Sequence, residues 1–491
     1  MSSEKVDSVS VGSATVDEDC GINLFALHEE RAGRLIIDPK EARIELGDAI
    51  ASRLKLSADR TKVLWPQPTD DPEDPQNWSD RRKAFQLFIL TLASIVPDFD
   101  SGIGIAAIFG LAEEYNTTPN VINNLTSNWS IFLIGKKRRL RWLKDNLDVA
   151  SQIAPAGVFA AMFVRRYGRL PVLFWSQLIG LGFLIGATFA RDLNTFTAMR
   201  CLTAFFATAP QVIGLYVVCD MFPFHLQARK LNLWTMGFII SPFLSPFAFG
   251  FLVARESWRW SYGIGSMYSA VVVLLIALFG EETIYDRTVV PIPSRPTTGP
   301  RYRVETLVGI TGVKMSKYRA SWSQTILSPF NVLWRPHLIS ILIFEAMVFG
   351  FGIGINVTNA VFLASPPYSF SQDAIAGAYG TPIVSVIIGE LVGHYLNDWI
   401  TNITVRRNKG VFEAESRLLA CYIAMPLYIC GFVLLGASLQ NHLSVVALIF
   451  GWGIAQLGIM IATVSVYAYC NDCFPRQQVR ISSISFTLHL I

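Results

Sequence analysis

Long apolar runs separated by short polar linkers make up the chain from about residue 85 to its end. Each run holds roughly 20 residues, enough for a helix to cross a hydrocarbon core of about 30 Å. We predict membrane-spanning helices, bounded to within about four residues, at 85–109, 171–190, 196–222, 231–254, 260–279, 338–363, 374–396, 418–437 and 443–469. The pattern therefore predicts an all-α polytopic membrane protein.

Residues 1–84 are polar and charged, and they predict a soluble N-terminal tail. A short amphipathic helix is predicted over 42–56 (ARIELGDAIASRLKL), followed by the turn-rich acidic stretch DDPEDPQNWSDRRK. Arg81, Arg82 and Lys83 stand directly before the first span. Because cations that flank a span mark its cytoplasmic side, we expect the tail to lie in the cytoplasm.

The linkers between spans alternate between basic ones and ones with few cations, as serial crossing of a membrane predicts. The basic linkers lie at 165–169, 225–230 and 281–336. The last of these is the longest break in the pattern, and its segment VVPIPSRPTTGP predicts a stiff linker. We expect it to be a cytoplasmic loop that divides an N-terminal bundle, 85–280, from a C-terminal bundle, 337–491.

The second span is interrupted. WSIFLIG (129–135) and IAPAGVFAAMFV (153–164) are each too short to cross a bilayer, but together they have nineteen residues, one span. Between them lie Lys136, Lys137, Arg138, Arg139, Arg141 and Lys144. Each cation near a helix centre costs about 2.5–3.5 kcal/mol, so we predict that 136–152 is an insertion that splits span 2, such as translated intron sequence.

The same basic run would also suit a helix that lies in the membrane interface, since RLRWLKDNL is weakly amphipathic. A nucleic-acid site is not supported, because no aromatic platform or folded soluble module accompanies the cations. We therefore expect no nucleic-acid partner.

Composition agrees with a membrane protein: 16% of residues are charged and 52% hydrophobic, with a mean hydropathy of +0.40, whereas soluble domains are about a quarter charged. Of the seven cysteines, Cys470 and Cys473 have the spacing of a redox or metal motif, but no second pair or histidine lies nearby. The loops contain no nucleophile, base and acid set. We expect no enzyme activity, no metal and no cofactor.

Ionisable residues within spans are candidates for function, because a charge in hydrocarbon is costly and faces a partner or a cavity. They are Asp98 and Asp100 in span 1, Arg200 in span 4, Glu345 in span 7 and Glu390 in span 8. Such carboxylates can exchange protons, although the aspartates would also suit an interfacial position and the glutamates a helix–helix hydrogen bond. Asn356 and Asn359, on one face of span 7, would line a cavity or pair helices.

Short motifs follow one another along the N-terminal half. They are DPEDPQNWSDRRK before span 1, Arg165-Arg166-Tyr167-Gly168-Arg169 after span 2, Arg200 in span 4, and the turn from Asp220 to Arg229. Span 5 then carries small residues and prolines at Gly237, Ser241, Pro242, Ser245, Pro246 and Gly250, and EETIYDR follows span 6. Small residues and prolines let helices approach closely and bend, but a kink that only fits packing would have the same pattern.

In this order and spacing, the motifs resemble those of the major facilitator superfamily, and within it the fungal drug:proton antiporter family with twelve spans. The resemblance extends from about residue 70 to the end. The loop motif departs from the family pattern, since Arg165 stands at its acid position and Ala161 at its first glycine, which predicts a weakened charge lock. Asp398, just after span 8, is expected to brace a loop.

The resemblance implies two helical bundles that move a small organic molecule by alternating access around a midplane cavity. It further implies coupling to protons and efflux of drugs or metabolites by a monomer in the lipid bilayer of the plasma membrane. Uptake of a nutrient or polyamine and a degenerate, non-transporting relative are the alternatives. Since ISSISFTLHLI begins an eleventh span, we expect the C-terminal bundle to be incomplete.

Overall fold

The computed structural model describes residues 34–57, 59–122, 155–285, 299–319, 321–323, 325–326 and 336–473. In these ranges, nine helical segments are long and apolar enough to cross a membrane. A small antiparallel sheet pairs Arg34–Ile36 (β1) with Val411–Glu413 (β2). The predicted all-α membrane fold is confirmed.

The N-terminal half contains ten helices in the described ranges. They are α1 (Pro39–Leu46), α2 (Asp48–Ala51), α3 (Asp80–Ala106), α4 (Ile108–Glu114), α5 (Pro155–Tyr167), α6 (Arg169–Thr188), α7 (Leu193–Ala207), α8 (Ala209–Met221), α9 (Phe224–Val253) and α10 (Trp258–Phe279).

The central loop and the C-terminal half follow. Their described helices are α11 (Gly299–Val308), α12 (Ile310–Met315), α13 (Pro336–Ala364), α14 (Gln372–Ala378), α15 (Gly380–Arg407), α16 (Cys421–Gln440) and α17 (Val445–Cys473). Short 3-10 helices lie at Pro75–Asn77, Ser316–Tyr318 and Ala414–Ala420.

The predicted spans overlap the observed segments, but several boundaries differ. Helix α9 begins at Phe224 rather than 231, and α15 ends at Arg407 rather than 396. Both extend into polar sequence, because a helix satisfies its own backbone hydrogen bonds outside the hydrocarbon as well as inside it. Span 4 divides into α7 and α8 at Thr208, where Pro210 in the first turn of α8 contributes no amide donor.

Residues 34–57 and 59–78, here called the N-terminal strap, are folded against the ends of the membrane helices. The helix predicted over 42–56 is wrong in its bounds: α1 begins after the Asp38 cap and ends at Leu46, before Gly47, which has φ 79°. Gly47 adopts a conformation that other residues rarely take, and it separates α1 from the short α2.

The central loop contains two helices that the sequence pattern did not predict. Helices α11 and α12 are separated by Gly309, at φ 102°, and they pack on α5 and α6. A Cβ at Gly312 would lie 1.8 Å from the carbonyl oxygen of Tyr167, so α12 contacts the backbone of α5 directly.

Three predicted features lie outside the described residues. Of the interrupted second span, the structure describes only the part from Pro155 onward, as α5. The proposed insertion at 136–152 lies outside the described residues. The same holds for most of the proline-rich linker, within 286–298, and for the predicted start of an eleventh span, within 474–491.

Glycines set the closest helix contacts. Helix α3 meets α9 at Gly102, where a Cβ would lie 2.8 Å from the Cβ of Ser245 and 3.1 Å from the carbonyl of Pro242. Helix α16 meets α17 at Gly431, where a Cβ would lie 2.3 Å from the amide nitrogen of Ala455. Small residues allow such approach between membrane helices, where packing replaces the hydrophobic effect.

We expect Gly431→Ala to destabilise the protein by about 1–3 kcal/mol, because overpacking forces α16 and α17 apart. Gly436→Ala on the same helix is the control, since nothing lies within 4 Å of its Cβ position and alanine favours a helix over glycine by about 1 kcal/mol. Size-exclusion profiles of heated, detergent-solubilised protein give the two midpoints. Equal midpoints for both variants would contradict the tight α16–α17 contact.

Candidate functional site

The membrane segments end at two opposite faces. The face that carries the N-terminal strap and the loops at 165–169 and 281–285 is called the basic face, and the opposite one the distal face. Helices α3, α6, α9 and α13 begin at the basic face, whereas α8, α10, α15 and α17 end there.

Asp98 lies between α3 and α8, facing the amide of Gln211. Gln211 Nε2 donates to Asp98 Oδ2 at 2.5 Å and to the carbonyl of Ser94 at 3.2 Å. Asp98 is half-buried and lies about 12 Å along α3 from its distal end, at 1.5 Å per residue. The position is within the span, and the partner of the carboxylate is a neutral amide. Gln211 was not predicted from sequence, since an amide among apolar residues carries no pattern of its own.

Asp100 and Arg200 come together in the same half, but not as a direct ion pair. The Arg200 guanidinium donates to the backbone carbonyls of Asp100 and, at 3.3 Å, of Ser101. Its Cζ lies 5.5 Å from the ring centroid of Tyr262. The buried Asp100 carboxylate turns towards α10, where Oδ1 lies 3.5 Å from the Cβ position of Gly265. These hydrogen bonds stabilise the backbone of α3 and also offset the positive charge of Arg200.

The C-terminal half has a different polar set. Glu345 is buried on α13 beside Thr463 of α17. It lies about 13 Å along α13 from the basic end, so it is closer to the basic face than Asp98 is. The two carboxylates stand in different halves and at different depths.

Asn356 and Asn359 are both buried nearer the distal end of α13. Among the residues that the structure describes, neither polar atom of the Asn359 side chain has a hydrogen-bond partner, and the same is true of Asn356 Oδ1. The Tyr379 hydroxyl donates to the backbone carbonyl of Asn356 at 2.7 Å. Buried amides without partners are costly, and they would be satisfied by a polar ligand.

Glu390 lies at the contact between α15 and α9. Asn232 Nδ2 donates to its backbone carbonyl at 2.9 Å and to Oε1 at 3.3 Å, and His394 Nδ1 is 3.8 Å from Oε1. Of the two roles expected from sequence, the structure places Glu390 in a helix–helix hydrogen bond. This bond joins the two halves.

The loop between α5 and α6 is held in place at the basic face by an ion pair and by a carboxylate that caps α6. Arg169 Nε lies 2.6 Å from Asp220 Oδ2, and that oxygen also accepts from Thr283 Oγ1 at 3.1 Å. Glu282 accepts from the backbone amide of Arg169 at 2.9 Å and caps the start of α6. Although Arg165 occupies the acid position of the motif, the ion pair between Arg169 and Asp220 closes this loop.

Gly168 and Arg166 complete that loop. Gly168 has φ 110°, and a Cβ there would lie 2.3 Å from Glu282 Oε2, so the cap requires glycine. Arg166 stacks over Trp322 at 5.2 Å, and its carbonyl accepts from Arg319 at 3.2 Å. Arg165 is half-buried at the end of α5.

An equivalent ion pair in the C-terminal half was missed. Arg417, in the 3-10 helix that precedes α16, donates from Nε to Asp472 Oδ2 at 2.9 Å, and both side chains are buried. Asp472 is the penultimate residue of α17, as Asp220 is of α8. The signal that would have found it is a repeat: Asp-Met-Phe-Pro follows from 220 and Asp-Cys-Phe-Pro from 472.

The two halves contact each other at the basic face. Cys219 Sγ donates to Asn471 Oδ1 at 2.9 Å, and Asn471 Nδ2 donates to Gln227 Oε1 at 3.1 Å. Arg229 forms an ion pair with Asp398. Asp398 was expected to brace a loop, and the structure pairs it with Arg229 of the other half. We call these contacts the basic-face gate.

The halves also contact each other at the distal face. Gln372 Nε2 donates to the carbonyl of Ala106 at 3.0 Å, and Arg255 Nη1 lies 3.1 Å from Asp373 Oδ1. A Cβ at Gly250 would lie 2.6 Å from the Cβ of Ala376. Within the described residues, the two halves therefore contact each other at both faces in this conformation.

The predicted motif of span 5 lies along the contacts of α9. Gly237 faces Thr91, with 2.4 Å between its Cβ position and Thr91 Cγ2. Ser241 is buried and donates to the carbonyl of Phe238 at 2.8 Å. Pro242 and Pro246 lie inside α9, and Ser245 packs on Gly102. The small residues thus serve close contacts with both α3 and α14.

Cysteines and carboxylates do not gather into a metal site in the described part of the chain, where no group of three or more potential ligands was found. Cys470 is buried and Cys473 is half-buried, and neither forms a disulfide.

Two helical halves that contact each other at both faces, with polar groups buried in their spans, are typical of a polytopic membrane transporter. Residues 90–490 match the Major Facilitator Superfamily. Since this match covers most of the chain, the protein belongs to that superfamily and is a secondary transporter.

Relatives and solved structures agree. The chain is 25% identical to the MFS transporter cpaT of Aspergillus oryzae over 452 residues, 91% of this chain and 85% of that protein. It is 23% identical to the efflux pump radE of Floropilus chiversii, covering 94% of this chain and 81% of the pump. A multidrug transporter of Candida glabrata, TPO1_2, is 24% identical, covering 72% and 57% respectively.

Among solved structures, the fold is similar to the xylose transporter XylE from E. coli, with a TM-score of 0.51 at 12% identity, covering 83% of this chain and 90% of that one. It is also similar to a bacterial homolog of the human lysosomal transporter Spinster, with a TM-score of 0.52 at 15% identity, covering 84% and 80%. These likenesses agree with the fold, and the match over residues 90–490 confirms the superfamily predicted from the sequence motifs.

We expect Asp472→Ala to destabilise the protein by about 3–5 kcal/mol, because it leaves the buried Arg417 charge without its carboxylate. Replacing both residues, as Arg417→Met with Asp472→Leu, should restore most of the loss, since no charge then remains buried. Asp70→Ala is the control, because its pairing with Lys55 is exposed to solvent and contributes little to stability. Thermal midpoints in detergent measure all three; a midpoint for Asp472→Ala near that of Asp70→Ala would contradict the assignment.

Proposed function

We propose that this transporter exports a small organic molecule in exchange for protons. The observation that carries the proposal is the pair of carboxylates within the spans: Asp98 bonded to the neutral amide of Gln211, and Glu345 beside the hydroxyl of Thr463. Carboxylates inside membrane segments mark ion and proton pathways.

The partners of these carboxylates favour proton exchange. A carboxylate held by an amide or hydroxyl can take up a proton without breaking an ion pair, and the same neighbour can then accept from the acid. Asp98 lies nearer the distal face and Glu345 nearer the basic face. Opening one face at a time would expose them to the two solutions in turn, which is what exchange requires.

The substrate site is proposed between the halves, where Asn356 and Asn359 have polar atoms to satisfy. Arg200 and Asp100 would fix the shape of α3 beside it. Glu390, Arg229 and Asp398 would hold the halves together between cycles. In this scheme residues 85–280 and 337–491 act as the two moving bundles.

The orientation follows from the charges. Basic linkers lie at one face, and the positive-inside rule supports a cytoplasmic location for that face and the N-terminus. Export from the cell would require the plasma membrane. The direction is supported by relatives named as an efflux pump and a multidrug transporter.

We expect Asp98→Asn and Glu345→Gln each to lower proton-linked transport roughly ten-fold or more, the range that removal of a general acid–base group produces. The assay uses reconstituted vesicles loaded with a pH dye and rhodamine 6G as the transported probe. Exchange of the probe without a pH gradient should persist in both variants, because neither replaces the proposed amide contacts.

Asp70→Asn is the matched control, since the Asp70 side chain is 98% exposed. If both membrane variants keep wild-type proton flux while the probe is still transported, proton coupling through these carboxylates is disproved. A correctly inserted wild-type protein that moves the probe without any proton flux would also contradict the proposed exchange.

A further inference from the structure

The N-terminal strap has no part in the proposed exchange, yet it is folded over the basic face and contacts both halves. Its strand β1 pairs with β2, the loop between α15 and α16, in the register Arg34 with Glu413, Leu35 with Phe412 and Ile36 with Val411. The amides of Ile37 and Asp38 also donate to the carbonyl of Gly410, at 3.1 and 3.3 Å. One end of the strap is thus fixed to the C-terminal half.

An apolar cluster strengthens this attachment. Leu35, Ile36 and Trp65 are almost fully buried, and they share a cluster with side chains at the ends of the C-terminal helices: Leu338, Leu342, Phe412, Val466, Tyr469 and Cys470. A sheet of two three-residue strands is only marginally stable alone. The apolar cluster therefore adds to the stability of this attachment.

The other end of the strap is fixed to the N-terminal half. The amide of Phe224, the first residue of α9, donates to the carbonyl of Trp65 at 2.7 Å. Further along, the Tyr285 hydroxyl donates to Asp71 Oδ2 at 2.8 Å, and Lys83 Nζ donates to the carbonyl of Gln76 at 2.8 Å. Burial raises the pKa of Tyr285, so its hydroxyl stays protonated as the donor.

The two attachments are tied to each other. Trp65 Nε1 donates to the carbonyl of Ile36 at 2.9 Å, which joins the residue that contacts α9 to the strand that pairs with β2. Phe224 also packs edge to face on Phe412, with ring centroids 4.6 Å apart. The strap thus forms a short bridge from one half to the other beside the basic-face gate.

A transporter that works by alternating access must part its halves at each face in turn. Opening the basic face separates Cys219 from Asn471 and Arg229 from Asp398. It must also stretch or release a strap that is bonded to both sides.

We propose that the N-terminal strap is a built-in latch that holds the basic-face gate closed and sets how often it opens. The latch acts on the opening step of secondary transport and does not depend on which ion drives it. Its two short strands allow it to detach and pair again within a cycle. Weakening it should raise the population with an open basic face, and locking it should lower that population.

The first test measures how fast N-ethylmaleimide alkylates Cys219 in membranes, by mass spectrometry of the peptide that contains it. Cys219 is buried at the gate, so its alkylation reports opening without any substrate. Ile36→Asp should raise the rate roughly ten-fold or more, equivalent to about 1.4 kcal/mol, because a carboxylate in the cluster breaks the latch. Ile44→Asp on α1 is the matched control, since Ile44 is 76% exposed, and it should leave the rate unchanged.

The second test runs in the opposite direction, so that unfolding cannot imitate the result. Arg34 and Glu413 lie directly opposite each other at the exposed end of the small sheet. Oxidation of the double variant Arg34→Cys with Glu413→Cys should bond the strap to the C-terminal half, slow the alkylation of Cys219 several-fold and slow transport of rhodamine 6G. A reductant should restore both rates, and each single variant should be insensitive to the oxidant.

The latch is disproved if Cys219 of the oxidised double variant is alkylated at the wild-type rate. It is also disproved if Ile36→Asp, eluting as a folded protein, gives the same rate as Ile44→Asp. Loss of proton coupling would leave both alkylation results unchanged, so failure of the proposed exchange and failure of the latch are distinguishable.

Discussion

A charge inside a bilayer must find its partner within the protein, because hydrocarbon cannot solvate it. This requirement organises the molecule. Within the described spans, Asp98 meets Gln211 and Arg200 meets backbone carbonyls of α3. Each such contact joins two helices, so the same groups that make insertion costly also fix which helices are neighbours.

The polar contacts near the faces fall into two kinds. Arg169 with Asp220 and Arg417 with Asp472 join helices within one half, and the second pair is buried. These contacts can last through a transport cycle and keep each half rigid. The ion pair of Arg229 with Asp398 crosses between the halves and is more exposed. An exposed pair costs little to break in water, which suits a contact that must open and close.

Much of the fold followed from apolar periodicity, because a span must be about 20 apolar residues long whatever its neighbours are. The motifs of the N-terminal half also identified the family correctly. The N-terminal strap could not be predicted in the same way. Its strand pairs with β2, which lies in the other half of the chain, and three residues of strand give no local signal above that of a loop. The helices α11 and α12 were missed because their apolar residues are few and interrupted by Gly309.

Hydropathy and residue type were enough to predict the number and order of the described spans, the basic linkers and the candidate carboxylates. The partner that each carboxylate meets became known only from the packing of the helices. The Asp100 carboxylate lies beside Gly265 of α10, and Glu390 accepts hydrogen bonds from Asn232 of α9. Hydropathy depends on each residue and its near neighbours, whereas a hydrogen bond depends on helix rotation and depth, which are fixed only when all the helices pack together.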